Sequence, residues 1–123
     1  VTRLTADDVA AQAQAPQERV DEYVKAGILT PDSSGMFNAD DVRTVTTAVA
    51  LSEFGFDTRH LKTMRTAAAR QADMIGQVTE PVAKSGKVTA KQKAEEIGQQ
   101  MSALVVSLHA SLVKNELRQQ LGN

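Results

Sequence analysis

The stretch ERVDEYVKAGIL, Glu18–Leu29, decides how this chain is read. Val20, Tyr23 and Val24 recur at three and four residues, which puts them on one face of a helix. Gly27 suits the left-handed position just past a helix end, and the apolar pair Ile28–Leu29 follows it. The other face carries Glu18, Asp21 and Glu22 against Arg19 and Lys25. A short helix comes first. Thr5 is a good N-cap, Asp7 and Asp8 sit in its first turn where the helix dipole favours acids, and Leu4 and Val9 give it an apolar side. Pro16 fits the first position of the second helix, where a missing N–H costs nothing. Two short helices about a tight turn have the shape of a helix-turn-helix. A second helix that reads DNA should be basic, and this one is acidic.

Working outward, TPDSSG (Thr30–Gly35) is dense in turn formers and lies between Ile28–Leu29 and Met36–Phe37. Two short strands around it would form a small β-hairpin, or wing. Asn38 caps a third helix with Asp40 and Asp41 in its first turn, and Val42, Val45, Val49 and Phe54 on its core face. Gly55 ends it. Asp57 or Thr58 caps a fourth helix, with Leu61, Met64, Ala68, Ala72 and Ile75 along one face. EPVAKSGKV (Glu80–Val88) holds a Pro, a Gly and a Ser, and is the expected break. Thr89 then opens a long helix running to Leu121. In it Ile97, Met101, Leu104 and Leu108 follow the four-three-four spacing of a helix seam. Val105, Leu112, Val113 and Leu117 widen that face. Ile97, Met101, Leu104, Val105, Leu108 and Leu112 are therefore candidate packing or dimer residues. Pairing between chains and closure of a bundle within one chain both stay open.

The expected fold is mostly α: a winged helix-turn-helix over 1–78, then a loop and long C-terminal helix over 79–123. The chain has 123 residues, the size of one domain or one small domain with an extension. It is 41% hydrophobic and 24% charged, which makes it globular; aromatics are 3%, so the core is aliphatic. The net charge of −1 counts against a domain that grips nucleic acid alone, because neutralised phosphates supply most of such affinity. There is no cysteine, which excludes a disulfide scaffold, a thiolate metal site and a cysteine nucleophile. No apolar run approaches the ~18 residues of a membrane span. The start, VTRLTADD, lacks a signal peptide's apolar core.

No phosphate loop, Ser/His/Asp arrangement or metal set is present, so neither an enzyme nor a cofactor is expected. His60 and His109 lack the neighbouring ligands of a metal motif and read as surface or partly buried histidines. Arg59, Lys62, Arg65 and Arg70 form a basic set on the fourth helix. Together with Arg19 and Lys25 they are the candidate phosphate or partner contacts, against the plainer reading of a solvated helix face.

Val20, Tyr23, Gly27, Ile28 and Leu29, then Gly35, Phe37 and Asp41, then SEFGFDTRHLKTMR (Ser52–Arg65) resemble the winged-helix domain of MerR-type regulators. In that family an arginine and a tyrosine of the second helix contact DNA, and a wing arginine contacts phosphate. Those positions fall here at Asp21 and Glu22, and near Met36–Phe37–Asn38. An acid facing phosphate is repelled. KAGILTPDSSGMF (Lys25–Phe37), EFGFDTRHLKTMRTAAARQADMI (Glu53–Ile75) and SLHASLVKNELR (Ser107–Arg118) are similar to the C-terminal half of actinobacterial FtsR-like MerR regulators. That resemblance implies a separate N-terminal DNA reader, a C-terminal half that pairs protomers as a homodimer, and control of cell-division genes. It implies DNA as a partner of the full-length protein, admits RNA polymerase as another, and sets the protein in the cytoplasm, off the membrane. Two other readings stand beside it: a winged helix that binds DNA itself through Arg19, Lys25 and the Arg59–Arg70 set, and a module that binds a small-molecule or protein effector.

Overall fold

The computed structural model describes residues 3–86 and 88–122. Among them are five helices: α1 (Ala6–Ala13), α2 (Gln17–Lys25), α3 (Ala39–Ser52), α4 (Thr58–Ala83) and α5 (Ala90–Gln120). None is long and apolar enough to cross a membrane. The chain divides into two compact units, Val1–Thr66 and Ala67–Asn123. That division falls inside α4.

In the first unit, the helix starts follow from their caps. The Thr5 hydroxyl accepts the Asp8 N–H at 3.1 Å while the Asp8 carboxylate accepts the Thr5 N–H at 3.0 Å, a reciprocal capping box. Asn38 and Asp41 repeat the arrangement at the start of α3. At α4 the Asp57 carboxylate accepts the His60 N–H, and His60 Nδ1 accepts the Asp57 N–H, both at 3.1 Å. Gln14, left-handed at φ 55°, ends α1, and Pro16 caps α2 by backbone alone.

The expected β-hairpin wing is not formed: among the described residues there is no strand, only an isolated antiparallel bridge between Leu4 and Phe37. The reason lies at the end of α2. The N–H groups of Ile28 and Leu29 both donate to the Tyr23 carbonyl, at 2.9 and 3.2 Å, and so are spent on capping. Phe37 pairs with Leu4 instead, through N–H···O bonds of 2.7 and 2.8 Å. The loop between is curled around Asp32, whose Oδ1 accepts the N–H of Ser34 (2.9 Å) and of Met36 (3.0 Å). Its Oδ2 pairs with Arg3 at 3.1 Å.

Val9, Val20, Tyr23, Leu29 and Val45 are fully buried, and Leu4, Phe37, Ala48 and Leu61 complete the core. Burying each large apolar side chain contributes about 1.5–3 kcal/mol. Phe54 does not join them. It was expected on the α3 core face, but α3 stops at Ser52 and the turn that follows leaves Phe54 85% exposed. Phe56 instead turns back and meets the His60 ring edge-on at 5.4 Å.

In the second unit α4 runs through Pro81 to Ala83, past the expected start of the break at Glu80. Proline lacks the N–H that would bond to the carbonyl of residue 77 and its ring crowds that carbonyl, so the last turn of α4 carries a real cost. Just beyond, the Lys84 N–H still reaches the Glu80 carbonyl at 3.0 Å, and their side chains pair at 2.6 Å. Across the loop, α4 and α5 run antiparallel. A Cβ placed on Gly98 would lie 3.8 Å from Thr79 Cγ2, and Gln71 Nε2 lies 2.9 Å from His109 Nδ1.

Two outcomes are expected. Tyr23 is fully buried, yet its hydroxyl has no hydrogen-bond partner among the described residues. Removing an unpaired buried hydroxyl relieves a desolvation penalty of about 1–3 kcal/mol. Tyr23→Phe should therefore leave the urea midpoint unchanged or raise it, whereas Tyr23→Ala should cost about 3–5 kcal/mol by opening a cavity. A clear loss of stability in Tyr23→Phe would contradict this account of the core. The second concerns pH. The Met36 N–H, then the Ser34 N–H and the Arg3 guanidinium, hold the Asp32 carboxyl below its ordinary value; the His60 N–H does the same for Asp57. A depressed folded-state pKa gives stability that is present above the unfolded value of about 3.9 and lost as pH falls through the folded one. The melting temperature should fall from pH 5 to pH 2.5, and Asp32→Asn should flatten that fall.

Candidate interaction surfaces

α2 turns Val20 and Tyr23 inward and leaves Glu18, Asp21, Glu22 and Lys25 exposed. The first turn of α4 lies beside this face, and the Thr58 hydroxyl donates to the Glu22 carboxylate. Between them is an open cleft of about 530 Å³ lined by Glu18, Asp21, Glu22, Lys25, Ala26, Thr58 and Lys62. Three carboxylates outnumber two ammonium groups there, so a phosphate entering the cleft meets net repulsion.

The six candidate basic residues are not one patch. Lys25 and Lys62 share the cleft with the acids, and Arg19 is half-buried on α2. Arg65 lies over Gly27, its Nε 3.4 Å from where a Cβ would stand. Gly27 sits at φ +77°, so a side chain there would be strained by the backbone, with the guanidinium at ordinary contact distance. Arg59 is exposed, and Arg70 belongs to the second unit. The Glu22–Thr58 link could not be read from the sequence, because the partners are thirty-six positions apart and no local pattern pairs them.

The second surface is α5. Ala90 and Ala94 are buried, and Ile97, Gly98, Met101 and Val105 are half-buried. On α4 of the same unit Gln71, Ile75, Thr79 and Val82 are half-buried in turn. The candidate residues therefore divide. Ile97, Met101 and Val105 belong to the α4–α5 packing, while Leu104, Leu108 and Leu112 are 71%, 60% and 53% exposed. Every described residue from Val106 to the chain end is exposed, including Val106, Val113, Leu117 and Leu121. Val106 and Leu121 were missed by sequence reasoning. Their signal was present as a second apolar row offset from the seam, hidden because a broad stripe reads as one face.

Neither histidine is placed as a metal ligand. His60 serves the α4 cap and His109 bonds to Gln71. Among the described residues no three His, Cys, Asp or Glu gather closely enough to hold an ion.

Comparison with known proteins gives a consistent assignment. The family described as "Rv1828-like, C-terminal domain" matches residues 2–121. Two HTH-type transcriptional regulators, Rv1828 of Mycobacterium tuberculosis and Mb1859 of Mycobacterium bovis, are each 35% identical over 119 residues. The match covers 97% of this chain and 48% of each relative, so the chain spans about half the length of the curated relatives it matches.

Proposed function

The chain belongs to the Rv1828-like C-terminal domain family, and from that premise we propose that it is the dimerisation and regulatory half of a MerR-type transcriptional regulator. In this reading it is of the FtsR-like group, and it sets the spacing of two DNA readers carried by the other half of the regulator. It performs no catalysis and needs no cofactor. The observation that carries the reading is the exposed acidic face of α2, where Glu18, Asp21 and Glu22 stand on the helix that would otherwise enter a groove. Its position after a short helix and a tight turn resembles the reading helix of a MerR winged helix. Its charge does not suit that task, since affinity for DNA comes chiefly from phosphate neutralisation. The unpartnered apolar length of α5 supports pairing between protomers, because monomers rarely leave so long an apolar run in water. DNA and RNA polymerase are then partners of the whole regulator, and the control of cell-division genes follows from the FtsR-like resemblance alone.

A gel-shift titration of this chain at low salt tests the division of labour. No shift is expected at micromolar protein. Tight binding that weakens steeply with salt would favour direct DNA contact through Arg19, Lys25, Arg59, Lys62, Arg65 and Arg70. Sedimentation velocity tests the pairing. A species of twice the chain mass is expected at ~10 µM, a concentration at which a dimer of ordinary micromolar or tighter affinity is largely formed.

A further inference from the structure

We propose that His60 is a pH-sensitive latch on the start of α4, in which one ring nitrogen exchanges one Asp57 partner for another as it takes up a proton. His60 Nδ1 lies 3.1 Å from the Asp57 backbone nitrogen and 3.0 Å from Asp57 Oδ1. The N–H can only donate and the carboxylate oxygen can only accept. A neutral Nδ1 with a free lone pair takes the N–H, whereas a protonated Nδ1 gives its proton to Oδ1. Both partners already stand within bonding distance, so the exchange needs no movement of the backbone.

Asp57 Oδ1 also accepts the His60 N–H at 3.1 Å. That bond persists in either state, because a carboxylate oxygen has two lone pairs. The group that changes is the Asp57 N–H, which loses its protein partner to water, since Asp57 is exposed. With His60 neutral, the first turn of α4 is closed from both sides, in the manner of a capping box. With His60 charged, it is held from one side, and a cation stands where the helix dipole disfavours it. The charge-assisted bond to Asp57 offsets that cost. The next residue, Thr58, donates its hydroxyl to Glu22, so the latch acts where α4 is tied to α2.

The surroundings leave the exchange to this pair. The His60 side chain is 57% exposed and open to protons. Histidine is the side chain that ordinarily changes charge between pH 5 and 8. Asp57 stays ionised throughout that window, its carboxyl held below the ordinary value chiefly by the His60 N–H. The other charged groups near this corner are Glu53 at the end of α3, Glu22 and Lys25 on α2, and Arg59 and Lys62 on α4; none of them forms an ion pair with His60. His109 is built differently. Its Nδ1 meets the Gln71 amide, which can turn to offer either N–H or oxygen and so satisfies both states of the ring.

The test is nuclear magnetic resonance on the whole chain labelled with nitrogen-15, followed from pH 8 to pH 5. At pH 8 a scalar coupling across the hydrogen bond should join the Asp57 amide nitrogen to an unprotonated His60 Nδ1. At pH 5 that nitrogen should carry a proton and the coupling should vanish. The hydrogen-exchange protection of the Asp57 amide should fall roughly twofold to tenfold over the same range, the span expected for one exposed hydrogen bond. The ring and the amide should share one midpoint. His60→Gln supplies an acceptor that does not titrate, so its Asp57 amide should stay protected at both pH values. Circular dichroism checks that this variant keeps its helices. An Nδ1 already protonated at pH 8 would overturn the proposal, as would an Asp57 amide that ignores the His60 titration. A pH step of the same size in His60→Gln would overturn it too, by placing the switch elsewhere.

Discussion

The end of α2 is the constraint on which the first unit depends. One carbonyl, that of Tyr23, takes the N–H groups of both Ile28 and Leu29. This closes the helix and, with Gly27 left-handed, turns the chain so that Leu29 enters the core. It also removes the donors that a hairpin would need, which is why Phe37 finds its backbone partner in Leu4 near the chain start. The same turn brings Gly27 under Arg65, linking the closure of α2 to the placement of α4. A side chain at position 27 would be opposed by backbone sterics at its positive φ.

Much of this was legible in the sequence because it is local. Thr5 and Asn38 announce their helices through capping residues and their partners three positions on, and both boxes form. The apolar period puts Val20 and Tyr23 inside and leaves the acids of α2 outside. What was not legible depended on competition between distant or alternative partners. Turn formers at Thr30–Gly35 do bend the chain, but turn chemistry does not say whether the flanking backbone is free to pair. Pro81 reads as a stop, yet α4 continues through it to Ala83. Phe54 follows the α3 period by number, but the period has no meaning after the helix stops at Ser52.

The candidate surfaces show the same limit. A helical face wider than one neighbour can cover reads in sequence as a single stripe. On α5 it is a seam with α4 near the start of the helix and unpartnered rows beyond. Only burial separates Ile97, Met101 and Val105 from Leu104, Leu108 and Leu112, although the sequence reads all six as one broad apolar face.

The two surfaces differ in what they can exchange with a partner. On α2, Glu22 already accepts from Thr58, and Lys25 and Lys62 line the same cleft as the carboxylates. Exposed pairs of this kind contribute little to stability, of order 0–1 kcal/mol, but they strongly bias which charges can approach. The α5 rows carry no such bias and discriminate by shape and apolar area alone. The acidic face of α2 repels polyanions, whereas the exposed apolar rows of α5 do not select by charge. The separation is physical as well as functional: the charges of α2 screen over about 8 Å at physiological salt, while burial of apolar rows is nearly indifferent to it.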